Sequence, residues 1–529
     1  MIFVFNIFSY TPISATDKND FELTFNEDEN CVKDVHNRDT VVSGNIDSDY
    51  ENLKEIMHID KNGDIIIRRF RIHINSVLTD ALMVFADGMV NRNSINQFIL
   101  MPLMDKNYDI SGTDKLKYII EKAIPQSQAM GETNLSELAH SVNFGNVGLL
   151  IDGVNSGIII DIKTWEHRSI STPTNEEVIQ GPHEGFNEVL RCNTAIIRKS
   201  VNNSELVFET LMFGSQSRNP GSLAYINGII NDKLLDEIRR RLSDIKGDYI
   251  LSVFDIEKEI EEKTNITMPQ IITTERPDKV CRALIEGRAA LLLNGSSHAL
   301  ILPSNITDII ASPEDSYLRK PYSVFIKFLR IFSVFLALLT PGIYLAITRF
   351  HTDALLINML TAIGNERNNI PFSSLTEIII MELSFELIKE AGIRIPGSIG
   401  SSLGIVGGLV LGQAAVSASL VSPLVIILVS VCGIASFAIP SYSLSFSFRI
   451  SRFIYIFAGA YYGLFGISTV LLMQMCLLLG TKSFGVPFFV PFSPKTEKNA
   501  LYKSLFRQCL GIPNPQYLKS LRKDGSREG

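Results

Sequence analysis

The chain has 529 residues, of which 46% are hydrophobic and 20% charged, and its formal net charge is -7. That acidic balance, with no concentrated basic face in the first part of the chain, excludes a nucleic-acid partner held through its phosphates. Cys31, Cys192, Cys281, Cys432, Cys476 and Cys509 are scattered, without a CxxC pair or a histidine at metal-ligand spacing, which excludes a disulfide framework or zinc ribbon and points to reduced thiols.

The averages conceal a split. Up to about Lys320 the sequence is charged and broken by turns, whereas from Tyr322 to Val490 apolar segments dominate. The expected fold class is α+β, with duplicated α/β cytoplasmic subdomains followed by an α-helical transmembrane bundle. The expected boundaries are an N-terminal extension over 1–63, a first subdomain over 64–165, a connecting segment over 166–205, a second subdomain over 206–320, a transmembrane domain over 321–493 and a basic tail over 494–529.

The opening "MIFVFNIFSYTPISA" is apolar but lacks a basic n-region, so it reads as a short core strand or a misassigned start rather than a cleaved signal peptide. Two later segments align without a gap, "VGLLIDGVNSGIII" from Val147 and "AALLLNGSSHALIL" from Ala289. Each has an Asx-Gly pair between apolar runs, Asp152-Gly153 and Asn294-Gly295, the signature of a hairpin turn. Upstream of each, "MVFADGMV" from Met83 and "LAYINGII" from Leu223 run a strand into Asp87-Gly88 and Asn227-Gly228. The order strand, Asx-Gly, helical stretch, hairpin recurs at a period of roughly 140 residues, which argues for duplication of one unit.

Between the repeats, "DIKTWEHRSISTP" and "GPHEGFNEVLR" gather Trp165, Glu166, His167, Arg168, His183 and Glu184. A metal or acid–base site is one reading. The second histidine of HExxH is missing and no nucleophile is near, so a contact between domains or subunits is the simpler one. "DKLLDEIRRRLSDI" places Leu234, Leu235, Ile238 and Leu242 on one side of a helix that packs on its sheet. In "TTERPDKVCRALIEGR" and "SPEDSY", a capping hydroxyl and a proline open helices, the second leading into the membrane.

No Walker A loop, GxGxxG, GxSxG elbow or zinc-ligand spacing occurs, so no catalysis, cofactor or metal is expected. Apolar runs over 325–347, 403–420, 423–439 and 452–480 approach the ~20 residues a crossing helix needs, and Lys327 and Arg330 are expected to snorkel to the headgroups. The basic tail belongs in the cytoplasm by the positive-inside rule, which requires an even number of crossings.

"EIIIMELSFELIKEAGIRIP" breaks the apolar pattern. Glu382, Glu386 and Glu390 recur at one helical turn, with Lys389 beside them, and three acids facing lipid are not tolerable. Either this helix lies in the interface or its acidic face lines water. Gly400, Gly404, Gly408 and Gly412 then form a small-residue ridge for close helix packing or self-association, and Gly459 and Gly463 repeat the device. "SFAIPSYSLSFSFRISRF" reads as a surface connection carrying Arg449 and Arg452 into the last span.

The blocks "WEHRSISTP", "GPHEGFNEVLR", "PQIITTERPDKVCRALIEGRAALLLNG", "SPEDSY", "MELSFELIKEAGIRIP", "GIVGGLVLGQAAVSASLVSP", "ASFAIPSYSL" and "SFGVPFFVPFSP", in this order from about Arg68 to Pro494, resemble the A subunits of GerA-type spore germinant receptors. The first 60 residues and the tail carry no such likeness. The resemblance implies an integral protein of the spore inner membrane with its large N-terminal domain on the core side, working with a transporter-like B subunit and a lipoprotein C subunit. It also implies an oligomer-forming component of a channel that releases ions when germination begins. Glu382, Glu386 and Glu390 would then belong to a cation-selective path, with the Gly400–Gly412 ridge packing helices around it. Two alternatives stay open: an accessory paralogue of the kind found in the SpoVA operon, and a stand-alone secondary transporter, which would require inverted repeats.

Overall fold

The computed structural model describes residues 40–110, 115–126, 128–164, 173, 176, 178–262, 268–367, 370–394, 410 and 412–489. In the first unit, β1 (Ile65–Ile74) and β2 (Val77–Ala86) form a long antiparallel hairpin in the register Ile74↔Val77. Its two-residue turn, Asn75-Ser76, has φ of 50° and 63°, the left-handed conformation at both positions that matches the twist of the strands. The sheet is completed by β3 (Asn107–Tyr108), β4 (Ala129–Glu132), β5 (Val147–Ile151) and β6 (Gly157–Ile160), in the order β3-β1-β2-β5-β6-β4.

The second unit has β7 (Leu206–Phe213), β8 (Asn219–Ile226), β9 (Ile272–Thr274), β10 (Ala289–Leu293) and β11 (Ala299–Leu302), in the order β7-β8-β10-β11-β9. Apart from the added β3, the two orders are the same, so the repeat in the sequence is a repeat of topology. Both sheets are antiparallel except for the short β1–β3 pairing. Gly88 and Gly228 both take positive φ, 84° and 72°, where β2 and β8 leave their sheets. The Asx-Gly pairs at Asp152 and Asn294 open wider loops than a two-residue turn, since β6 and β11 begin only at Gly157 and Ala299.

Two expected boundaries shift. Helix α1 (Ile46–Ile56) buries Leu53 in the same core as Leu82, Leu138 and Val142, so the first unit begins well before residue 64. Helix α2 (Leu135–Asn143) supplies those last two side chains. Part of the connecting segment is helix α3 (Leu190–Ser200), packed into the core of the second unit through Leu190 and Ile197. Its Arg198 is fully buried and bidentate to Asp64 at 2.8 and 2.9 Å, with Asn143 at 2.6 Å and the Phe208 ring 5.1 Å away. One arginine therefore joins the start of β1 to β7.

The second half is helical: α4 (Lys320–Phe350), α5 (Ile357–Arg367), α6 (Ser374–Arg394), α7 (Pro423–Phe437) and α8 (Tyr442–Leu479). Pro321–Phe350 and Tyr442–Leu479 are long and apolar enough to cross a membrane, while Pro423–Phe437 is shorter. Arg330 does not snorkel. It is buried and forked onto Asp315 at 2.8 and 3.2 Å, and also reaches the Ile310 carbonyl at 3.1 Å, fastening α4 to the "SPEDSY" turn. Lys327 is likewise buried.

Helix α8 is not straight. Gly463 has φ 61° and ψ -148°, a conformation open essentially to glycine alone. Across it, the Tyr455 hydroxyl donates to Gln474 Oε1 at 2.6 Å. In a straight helix these residues would stand about 28 Å apart, so the chain reverses at Gly463 into two arms, 442–462 and 464–479. The run expected as one final span is thus a helical hairpin, and Leu444 and Leu478 near its two ends share one core. The serine-rich "SYSLSFSF" is the first turns of the first arm rather than a surface connection.

Candidate functional site: an ion-pair cluster beneath a cleft

The site starts from a proline. Pro341 lies inside α4 and has no N–H, which leaves the carbonyl of Ala337, four residues back, without its helical donor. Arg452 Nε donates to that carbonyl at 2.6 Å, and its Nη1 donates to Glu382 Oε2, also at 2.6 Å. Both side chains of this pair are 1% exposed. A turn further along, Arg449 Nη1 donates to Glu386 Oε2 at 2.6 Å. The spacing follows from helix geometry: acids four apart on α6 meet bases three apart on α8, each set lying on one face.

The close approach that permits this comes from glycines. Gly342 and Gly459 face each other across α4 and α8, and a Cβ on Gly342 would stand 2.7 Å from the Tyr455 carbonyl oxygen. Glu382 Oε1, Arg449 Nε and Arg452 Nη2 are buried with no hydrogen-bond partner among the described residues. Such a cluster is charged, tightly paired and incompletely satisfied among the described residues, and a buried ion pair of this kind is weak evidence for stability.

The cluster leads toward a cleft of about 1220 Å³ between the second sheet and the helices. Thr273, Glu275 and His298 line one wall; Phe385, Lys389 and Tyr442 line the other. Here Glu275 pairs with His298 at 3.1 Å and Glu176 with Lys279 at 3.0 Å. Burial pushes the Glu176 carboxyl upward, but the charge of Lys279 and hydrogen bonds from the Thr274 hydroxyl and the Glu275 N–H outweigh it and hold it below the ordinary carboxylate range. Behind Thr273, burial and the neighbouring Glu261 push Glu257 up to about 7. Lys389 Nζ has the Ser436 hydroxyl at 3.4 Å and the Phe437 ring at 4.2 Å.

Of the residues singled out in the sequence, Glu382 and Glu386 come together with two arginines, whereas Glu390 is exposed at the end of the same helix. Gly412 is buried with its Cβ position an ordinary 3.6 Å from Ile426, so it is not a point of forced contact; Gly400, Gly404 and Gly408 lie outside the described residues. Gly459 makes the close crossing expected of it, while Gly463 makes the reversal instead. Trp165, Glu166, His167 and Arg168 also lie outside the described residues; of their neighbours, His183 is exposed and Glu184 pairs with Lys199 at 2.9 Å. The pairing of Glu382 with Arg452 was not foreseen, although two arginines in the apolar run "FSFRISRF" were themselves a sign that acids had to be near.

The profile described as Bacillus/Clostridium GerA spore germination protein matches residues 51–514. Spore germination protein KA of Bacillus subtilis is 35% identical over 84% of this chain and 82% of its own length. A B. subtilis protein called uncharacterized membrane protein YfkQ is 35% identical over 87% of this chain and 88% of its own length. A crystal structure of the N-terminal domain of the A subunit of the Bacillus megaterium spore germinant receptor GerK3 is 27% identical, with a TM-score of 0.40, covering 50% of this chain and 97% of that one. The chain belongs to the GerA family of spore germination proteins, and its apolar helices together with its membrane-protein relative associate it with a membrane.

Proposed function

From that membership, we propose that the chain is the A subunit of a nutrient germinant receptor in the spore inner membrane. It assembles with copies of itself, with a transporter-like B subunit and with a lipoprotein C subunit, and it turns germinant binding into ion release without catalysing a reaction. The observation that carries this reading is the charged cluster of Glu382, Glu386, Arg449 and Arg452 inside helices otherwise built for hydrocarbon.

The helices run between two levels. Lys389, Ser436 and Tyr442 lie at the cleft, beside the second sheet. At the far level the Ser422 N–H donates to Glu377 at 3.2 Å, and Gly463 abuts Phe350. Helices α4, α6 and α7 and the two arms of α8 each connect these levels, with α4 starting and the second arm of α8 ending on the side of the second sheet. This arrangement supports an even number of crossings, with both ends on the core side in the proposed reading. Glu382 then acts as a fixed anchor, and the half-buried Glu386 and exposed Glu390 form the part of the acidic face that meets water on the ion path. The Gly400–Gly412 ridge packs neighbouring helices, and the Trp165–Arg168 segment contacts another domain or subunit.

Deleting the gene in the source organism tests this reading. Loss of the response to one class of germinant supports a receptor subunit. A uniformly slower but intact response to every germinant points instead to an accessory of the SpoVA-operon type.

A further inference from the structure

We propose that the cleft at Lys389 holds the headgroup of one anionic phospholipid, an inference that rests on the membrane reading above. Among the described residues Lys389 is a cation of this region without an ion pair. Arg452 and Arg449 are taken by Glu382 and Glu386, and Lys279 by Glu176. The partners of Lys389 among the described residues are a hydroxyl, Ser436, and an aromatic face, Phe437, neither of which offsets a charge. Lys389 therefore places an ammonium with no carboxylate at ion-pairing distance among the described residues on the wall of a cleft of about 1220 Å³. A partly desolvated ammonium in that position favours a singly charged oxyanion.

The rest of the cleft selects an amphiphile over a free ion. Its lining is mainly apolar, and on the helix side Ile434, Phe437 and Tyr442 are 70%, 65% and 60% exposed, so apolar side chains of α7 and α8 form a margin to the cleft. An acyl chain can lie along that margin while its phosphate meets Lys389. The height is also right, because the cleft is where the sheet unit meets the apolar helices, the level of the headgroups, and Tyr442 at its rim is the amphipathic aromatic favoured there.

The full-length chain in phosphatidylcholine vesicles, doped with spin-labelled phosphatidylglycerol or spin-labelled phosphatidylcholine, tests this. We expect the motionally restricted fraction to favour phosphatidylglycerol by about fivefold, the preference of a single lysine near an anionic headgroup, with Lys389→Gln losing it and Lys389→Arg keeping it. Inserted protein without that preference, or an unchanged preference in Lys389→Gln, overturns the inference alone. Displacement by inorganic phosphate identifies a free-anion site and also overturns it. A chain that remains in solution without detergent overturns the membrane reading and this inference together. Should Lys389→Gln fail to fold, the unmutated chain decides: a phosphatidylglycerol photoactivatable at its headgroup must cross-link within 385–392 or 434–445, and adducts confined elsewhere contradict the site.

Discussion

Arg452 sits 2.6 Å from Glu382, and neither side chain is more than 1% exposed. Removing one partner of such a pair strands the other as a bare charge in an apolar surround, at a cost of about 3–5 kcal/mol, whereas replacing both with apolar groups of similar size costs far less. Arg452→Met is therefore expected to lose most of its folded protein, and Arg452→Met with Glu382→Leu to recover much of it. Thermal unfolding in detergent of the three proteins measures this. Equal destabilisation in the single and double variants would show that the pair is not the anchor described here.

A different outcome is expected one and two turns along α6. Glu386 is about one-quarter exposed, at 27%, and Glu390 is exposed. Glutamine at Glu390 should leave protein levels close to normal while lowering germinant-triggered ion release, because the change removes charge from an exposed position; at Glu386 it should lower release as well but also cost some stability, since buried Arg449 loses its counter-charge. Normal release with normal protein levels assigns these acids to an interfacial surface instead.

The hairpin in α8 has a direct geometric test. In a Cys476→Ser background, Tyr455→Cys with Gln474→Cys should be bridged by a short bis-maleimide, since the wild-type side chains touch at 2.6 Å. A straight helix separates them by about 28 Å and would give no cross-link. Gly463→Val should lose the cross-link along with stability, because a branched residue is strained at φ 61° and its Cβ would lie 3.2 Å from the Phe350 ring.

Glu257, in the second unit and outside the apolar helices, gives a pH signature. Its folded-state pKa is raised from 4.5 to about 7 by burial and by Glu261, so the folded form holds its proton more tightly than the unfolded chain. The stability this contributes is complete below about pH 4.5 and is lost as the pH rises through 7. Glu257→Gln, fixed in the neutral form, should match the wild type near pH 4.5 and be the more stable protein at pH 8. A difference that stays constant across this range contradicts the assignment.

The division into a charged α+β half and an apolar helical half was legible because strand alternation and apolar run length are local signals. The duplication was legible too, since Gly88 and Gly228 mark equivalent strand ends and positive φ leaves a residue-type trace. Less visible were the features that depend on partners distant in sequence. The spacing of Glu382 and Glu386 showed a shared face, but only packing showed that Arg452 and Arg449 occupy it. Pro341 frees a carbonyl in α4, and nothing in the sequence names Arg452 as the donor that takes it. Arg330 shows the same limit: near an apolar run it suggested a headgroup contact, yet Asp315, fifteen positions earlier, holds it inward. A glycine spacing likewise cannot distinguish a crossing from a reversal, and Gly459 and Gly463 serve one each.

The most direct test of the central claim is germinant-triggered rubidium efflux from vesicles containing the chain with its B and C subunits. Efflux that requires this chain and falls in Glu386→Gln with Glu390→Gln is the predicted result. Equal efflux from vesicles lacking the chain, or undiminished efflux from the double variant at equal incorporation, would contradict a role for its acidic helix in ion release.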